Sequence, residues 1–474
     1  MLAEARTSSF SPDALKPTYR ASVVARGTGR HIVCNVRRLR FLSAFSGAGG
    51  LDIGLEAAGF HVLGCIEKDE LARETLTRNR PNWRLLEPCD VSEFTEGAKP
   101  SDLGLRRGEL ELLAGGPPCQ PFSKAAQWHA KARTGLKDPR AACFQGFLRL
   151  IDVFLPQVVL IENVRGFTEG KTSAMPLLER SLQLINSRAG TYYRAYSQAV
   201  DACEYGVPQH RWRSIIVARR DGGEFTLPKP THRKTPTRSW DAIGDLHPQS
   251  PPEALGKWAG LLPSIPEGSN YLHHTPQGKG QRLFGYRTRY WSFLLKLAKD
   301  QPSWTLPAQP PQNTGPFHWE NRRLTWKEMM RLQSFPKGWK VAGDYEERVR
   351  QIGNATPPLL AEVIGREIGR QVFGKRYRRR PTLAIARRRR VPRATALSAV
   401  PVRFLLEHHD LRPHPGPGMG PGRNPAWRSI RDLPFWSASW VGIGGNKTQL
   451  GISSTKAAAS PGPPLWPAWT RRPS

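Results

Sequence analysis

Apolar and polar positions along the chain predict strands and helices in alternation. Residues 40–44 form a short apolar run that stops at the turn Ser46-Gly47-Ala48-Gly49-Gly50, and a periodic segment over 51–58 follows. That order reads as strand, glycine turn, helix. Residues 61–66 predict a second strand and 69–80 a polar-faced helix. A strand at 111–114 feeds into Gly115-Gly116-Pro117-Pro118-Cys119, residues 144–154 read as helical, and 157–161 and 214–218 are apolar strands. Strands alternating with helices, several apolar on both faces, predict an open, mostly parallel sheet covered on both sides. Ligands of such sheets lie in the crevice beyond the carboxyl ends of the strands.

The pattern breaks between 221 and 301. Pro, His, Trp and Tyr rise there, and basic residues interleave with aromatics, as in His232-Arg233-Lys234 and Arg287, Arg289, Tyr290-Trp291. Helical periodicity returns over 324–335 and 358–372. The reading divides the chain into an N-terminal extension (1–38), a catalytic and cofactor-binding domain (39–220), a smaller irregular domain (221–301), a supporting helix with a return to the first domain (302–374), and a tail (375–474). Two Arg-rich runs, 376–380 and 387–390, open that tail, and Pro, Gly, Ser and isolated Trp fill the rest, so it is expected to be disordered.

Charge sharpens the picture. The formal net charge is +32, and half of it sits in residues 375–474, which hold 19 Lys and Arg against 3 Asp and Glu. Such a surplus points to a polyanionic partner, because each neutralised phosphate releases condensed counterions. Six cysteines, none spaced as C-x-x-C, with no secretory signal before them, predict reduced thiols and a cytoplasmic location. No apolar run is long enough to span a membrane, and no Cys/His cluster with metal-ligand spacing stands out, so neither a membrane nor a metal is expected.

Candidate chemistry sits at the strand ends. Cys119, held just past a strand by glycine and proline, keeps its sulfur accessible as a nucleophilic thiolate requires; a small buried cysteine at a turn is the alternative. The glycines after 40–44 let backbone approach a ligand at a helix start. Glu67 ends the second strand, where a carboxylate can accept from ribose hydroxyls, and Asp90 ends the next; either could instead be an ordinary helix N-cap. Glu162 ends the apolar strand 157–161, where desolvation favours the protonated form. Arg211 and Arg213, two residues apart at the start of 214–218, fall on one face of that strand.

These motifs, in this order from about 40 to 372, resemble the C5-cytosine-specific DNA methyltransferases. Residues 115–123 resemble the family's cysteine loop, and Phe45 to Leu51, with Gly54-Leu55 and Ala58-Gly59-Phe60, resemble its cofactor motif. Glu162-Asn163-Val164 resembles its glutamate motif, and Gln209-x-Arg211-x-Arg213 its arginine motif. Residues 322–336 resemble the helix that supports the recognition domain, and 351–358 the last motif. Ser43 stands where the family often has an acid, and Thr356 where Val is common.

The resemblance implies a Rossmann-like doubly wound methyltransferase sheet with a target-recognition domain at 221–301. S-adenosylmethionine would meet Phe45, Ser46, Gly47, Gly49, Gly50, Leu51, Glu67, Asp90, Pro118 and Asn354. Cys119 would attack carbon 6 of a flipped-out cytosine, Glu162 would engage N3, one arginine would lie near O2 and the other on backbone phosphate or the loop. Residues 120–140, with Lys124, Lys131, Arg133 and Lys137, would close over DNA. Duplex DNA is the expected partner of a monomer, nucleoid-associated, in a bacterial restriction–modification setting. A tRNA methyltransferase of the same architecture and a catalytically dead DNA-binding protein are the alternatives; an insert of this size favours a DNA reader, and four intact catalytic positions speak against a relic. In the tail, Trp427, Trp436, Trp440, Trp466 and Trp469 could stack on bases, but no spacing rule supports it.

Overall fold

The computed structural model describes residues 38–118, 139–170, 173–286 and 290–407. Six strands, β1 (Leu39–Ala44), β2 (Phe60–Ile66), β3 (Leu112–Gly115), β4 (Val158–Asn163), β5 (Arg194–Asp201) and β6 (Trp212–Arg219), form one sheet in the order β2-β1-β3-β4-β6-β5. The first four pair in parallel, and β6 is antiparallel to both β4 and β5. The mostly parallel α/β sheet expected from the periodicity is therefore present. The edge strand β5 went unforeseen because its polar sequence carries no apolar alternation.

Strand side chains alternate between two cores, as a period of two demands. Phe41, Leu112, Ala114, Val158, Leu160, Ile215 and Val217 face one. Leu42, Leu113, Val159, Ile161, Ile216 and Ala218 face the other. Along the chain the helices are α1 (Gly50–Ala57), α2 (Glu70–Asn79), α3 (Val91–Gly97), α4 (Pro139–Phe154), α5 (Met175–Ala189), α6 (Ser239–Ile243), α7 (Trp326–Leu332), α8 (Tyr345–Asn354), α9 (Pro358–Phe373) and α10 (Val402–Leu406). Helices α1 and α9 supply residues to the first core and α4 and α5 to the second, so the sheet is covered on both faces. No helix among the described residues is long and apolar enough to cross a membrane.

A third, smaller core gathers Leu261, Leu262, Ile265, Tyr271, Leu283, Leu294, Phe317 and Phe404. Its boundaries differ from those read in the sequence. Phe225, Ala242 and Ile243, inside the expected irregular domain, belong to the main core, whereas Phe317 and Phe404 lie outside 221–301. Apart from isolated bridges such as Phe293 with Thr314, no strand is found among the described residues of this region.

The expectation of a disordered tail from 375 is corrected over 375–407, which packs as an extended strap. Tyr377 donates to the Ala58 carbonyl (2.8 Å), and Leu383 N donates to the buried Glu362 carboxylate (2.8 Å). Arg388 N reaches Asp241 (2.9 Å) and Thr395 N reaches Glu267 (2.9 Å). The strap ends with Phe404 stacked on Trp258, ring centroids 5.7 Å apart. Burial alternates along it: Tyr377, Leu383 and Ile385 are half-buried while Arg376, Arg378, Arg380 and Arg387 are exposed. The sequence hid this because the inward residues are sparse among arginines.

Candidate active site

The parallel strands end at one edge of the sheet, and the residues just past them line a cleft of about 590 Å³, a size suited to a small-molecule ligand. β1 delivers Phe45, Ser46 and Gly47, β2 delivers Glu67, the chain before α3 delivers Asp90, β3 delivers Gly116-Pro117-Pro118, and β4 delivers Glu162 and Asn163. Because β6 runs antiparallel, its start lies at the same edge, and this places Arg213 in the cleft. Residues 353–356, the end of α8 and the start of its link to α9, close another part of the wall.

The β1 turn is conformationally constrained. Phe45 adopts φ 59°, in the left-handed region that costs a non-glycine residue roughly 1 kcal/mol or more. Its N–H donates to the Ile66 carbonyl (2.9 Å), and its ring lies 6.4 Å from Phe147. The Ser46 hydroxyl pairs with that of the buried Ser43 at 2.8 Å. Leu51, on the first turn of α1, also lines the cleft. Gly49 and Gly50, expected among the cofactor contacts, do not. Gly49 is the left-handed N-cap of α1 (φ 82°), and Gly50 lies so close to residues 355–356 that a Cβ would sit 2.2 Å from the Thr356 carbonyl oxygen. Gly49 is required by its backbone conformation and Gly50 by packing.

The acidic wall carries its own hydrogen bonds. Glu67 accepts from Gly47 N (2.7 Å) and Asp69 N (2.8 Å), and burial pushes its carboxyl above the usual range. Asp90 is both things the sequence allowed: its Oδ1 caps α3 at Ser92 N (2.8 Å), and it lines the cleft. Its Oδ2 pairs with Lys68 (2.8 Å), and burial, the opposing influence, is outweighed by Lys68 and Ser92, so its pKa is lowered. Arg350, paired with Asp69 at 2.8 Å, joins the wall from α8; nothing in its local sequence distinguished it.

At β4, Glu162 has a charged partner. Arg213 Nε lies 2.8 Å from its Oε1, and both side chains are largely buried. Asn163 Nδ2 donates to the Pro117 carbonyl (2.9 Å), tying β4 to the segment before Cys119. Cys119 itself and residues 120–138 lie outside the described residues, as do Trp427, Trp436, Trp440, Trp466 and Trp469. Pro118, the last residue described before Cys119, lines the cleft, and so does the exposed Asn354.

Arg211 departs from its expected position. It is fully buried behind the wall, donating from Nη2 to the carbonyls of Gly353 (2.8 Å) and Ala355 (3.0 Å), and does not line the cleft. Burial pushes its pKa well down. Gln209 is buried beside Gln333, which donates to the Ile352 carbonyl (2.8 Å). Of the Gln209-Arg211-Arg213 series, only Arg213 faces the cleft, and the other two brace the loop opposite.

Beneath α1 lies an acid that sequence reading passed over. Asp52 is fully buried, neither carboxyl oxygen has a well-formed hydrogen-bond partner, and desolvation raises its pKa to about 7 against the opposing Ser43 hydroxyl.

The profile of C-5 cytosine-specific DNA methylases matches residues 39–370. Type II methyltransferase M.SacI of Streptomyces achromogenes is 34% identical over 375 residues, covering 70% of this chain and 93% of that protein. M.PspPI of Psychrobacter sp. is 33% identical, covering 71% of this chain and 80% of the relative. M.Eco47II of Escherichia coli is also 33% identical, covering 69% and 78%. With the sheet, the strand-end cleft and these matches in agreement, the chain belongs to the C-5 cytosine-specific DNA methylase family and is a DNA (cytosine-5)-methyltransferase.

Proposed function

We propose that this protein transfers the methyl group of S-adenosylmethionine to carbon 5 of a cytosine flipped out of a specific duplex DNA site, through a covalent bond from Cys119 to carbon 6. The observation that carries this reading is that one cleft holds the acidic wall, the Glu162–Arg213 pair and the proline pair immediately before Cys119. S-adenosylmethionine supplies an electrophilic methyl on its sulfonium sulfur. Glu67 fits the ribose hydroxyls and Asp90 the adenine amino group, with Phe45, Ser46, Gly47, Leu51, Pro118 and Asn354 around them.

Carbon 5 of cytosine is too weak a nucleophile to take a methyl group unaided, and covalent catalysis answers that. The Cys119 thiolate adds to carbon 6 while Glu162 engages N3. The electron pair emerges at carbon 5 and takes the methyl. Loss of the carbon 5 proton to a base then expels the thiolate and restores the ring. Arg213 orients Glu162 through their ion pair and can stabilise charge at O2; Arg211 acts from behind as a positioning residue. Carbon 6 is inaccessible inside a duplex, hence the flip. The irregular region around 254–317 would read the target, the enzyme would act as a monomer, and the Type II relatives favour a restriction–modification role in the cytoplasm.

The test is transfer of labelled methyl to mixed-sequence duplex DNA and to tRNA, with Cys119→Ala alongside. Label on cytosine carbon 5 of DNA, abolished in the variant, is the expected result. Label on tRNA alone would overturn the DNA reading. A variant as active as the parent would overturn the role of Cys119.

A further inference from the structure

Outside the cleft, the turn from β5 into β6 brings three chemically unlike side chains to one point. Asp201 ends β5, Cys203 lies in the short helical turn 202–205, and His210 precedes β6. His210 Nδ1 is 2.8 Å from Asp201 Oδ2 and 3.2 Å from Cys203 Sγ, and the three ligand atoms all lie within 4.8 Å of one another. Asp201 and Cys203 are buried, whereas the His210 side chain keeps 34% of its exposure, leaving one side open to solvent.

We propose that Asp201, Cys203 and His210 form a site for a borderline-soft divalent ion of the zinc class. A single ring nitrogen faces both a carboxylate and a sulfur, which sets three ligand atoms of different chemistry around one point that an ion would engage together. Thiolate with imidazole selects zinc, cobalt or nickel over magnesium or calcium. Tetrahedral zinc with bonds of about 2.0–2.3 Å holds its ligands about 3.3–3.6 Å apart, so the two spacings at His210 Nδ1, 2.8 Å to Asp201 and 3.2 Å to Cys203, need to open by about half an ångström or less. The fourth position falls to water through the open side.

Binding leaves the atoms balanced. The Cys203 thiol gives its proton to solvent, the His210 ring proton resides on Nε2, the Asp201 carboxylate stays ionised, and metal bonds replace the Asp201–His210 hydrogen bond. The ligands are already braced. Asp201 Oδ1 accepts from Arg211 N (2.8 Å) and Cys203 N (3.3 Å), His210 N donates to the Ser303 carbonyl (2.7 Å), and Thr305 Oγ1 donates to the His210 carbonyl (2.6 Å). An ion here would pin the β5–β6 turn to residues 303–305 and, through Arg211, to the wall at 353–355. In sequence the ligands read D-x-C-x₆-H, a spacing with no zinc signature, so only the fold reveals the cluster.

The test is titration of the untagged, full-length, reduced protein with Co²⁺. The expected result is one equivalent bound, with tetrahedral visible bands and a thiolate-to-cobalt charge-transfer band. Cys203→Ser and His210→Gln should each remove the bands, Cys89→Ser and Cys143→Ser should keep them, and one equivalent of Zn²⁺ should bleach them. Zn²⁺ should also raise the melting temperature of the parent but not of His210→Gln. S-adenosylmethionine binding by each variant reports whether it has folded, and His210, the most exposed ligand, gives the variant most tolerant of substitution. No charge-transfer band in the parent, or bands unchanged in folded Cys203→Ser or His210→Gln, would overturn the site.

Discussion

The sheet region and the region around residues 254–317 bury their backbone by different means, and the contrast explains why one was read from sequence and the other was not. In the sheet, ladder hydrogen bonds satisfy the main chain, and side chains need only alternate between two apolar cores. Around 254–317 there is almost no ladder, so buried polar side chains take over. Lys296 donates to the Leu262 carbonyl and Asn321 (both 2.9 Å), and His274 sits between Ser264 (2.9 Å) and the Gln281 carbonyl (3.0 Å). A regular scaffold repeats one solution, whereas an irregular one needs a particular residue at each place.

The largest expected effect tests how far the small core depends on its last side chain. Phe404→Ala should destabilise that core by about 3–5 kcal/mol, seen as an early step in urea unfolding, with DNA binding lost and S-adenosylmethionine binding kept. A single transition shifted as a whole would show that the two cores are not separable, and an unshifted one would overturn the role of Phe404. Next is Gly50→Ala. Its Cβ would collide with the Thr356 carbonyl, so a loss of about 1–3 kcal/mol should appear together with weakened S-adenosylmethionine binding, since the displaced loop lines the cleft.

Two buried charges of opposite sign set the smaller effects. Asp52 has its pKa raised to about 7, chiefly by desolvation, so the folded state favours its protonated form. Stability should fall as pH rises from about 4 through 7. Asp52→Asn should therefore stabilise the protein by about 1–3 kcal/mol at pH 8 and have little effect near pH 4; equal effects at both would refute the assignment. Lys296 is displaced oppositely, its pKa lowered to about 8, chiefly by burial. The small core should gain stability as pH rises from about 8 towards 10, and Lys296→Met should flatten that dependence in urea midpoints.

Legibility in the sequence followed the same divide. Apolar runs at 157–161 and 214–218 and the glycine turn after β1 placed the sheet and most cleft residues, because period-two burial and strand-end ligands are local rules. Arg211 was misplaced because strand alternation gives a face but not a depth. The ion pair of Glu162 with Arg213, 51 positions on in β6, is a contact that no local pattern shows. The demand for glycine at Gly50 is set by the Thr356 backbone, some 300 residues away, which no local pattern shows. Asp52 carried no signal, as an acid on the first turn of a helix looks like an ordinary dipole partner.

The strap also bears on modularity. Phe404 completes a core whose other residues lie between 261 and 317, and Ser398 N donates to the Pro263 carbonyl (3.0 Å) on the way. A graft of 221–301 alone into another methyltransferase would carry an open socket where the phenylalanine ring belongs. The small core is thus discontinuous, built from two stretches of chain that must travel together in any exchange of this region.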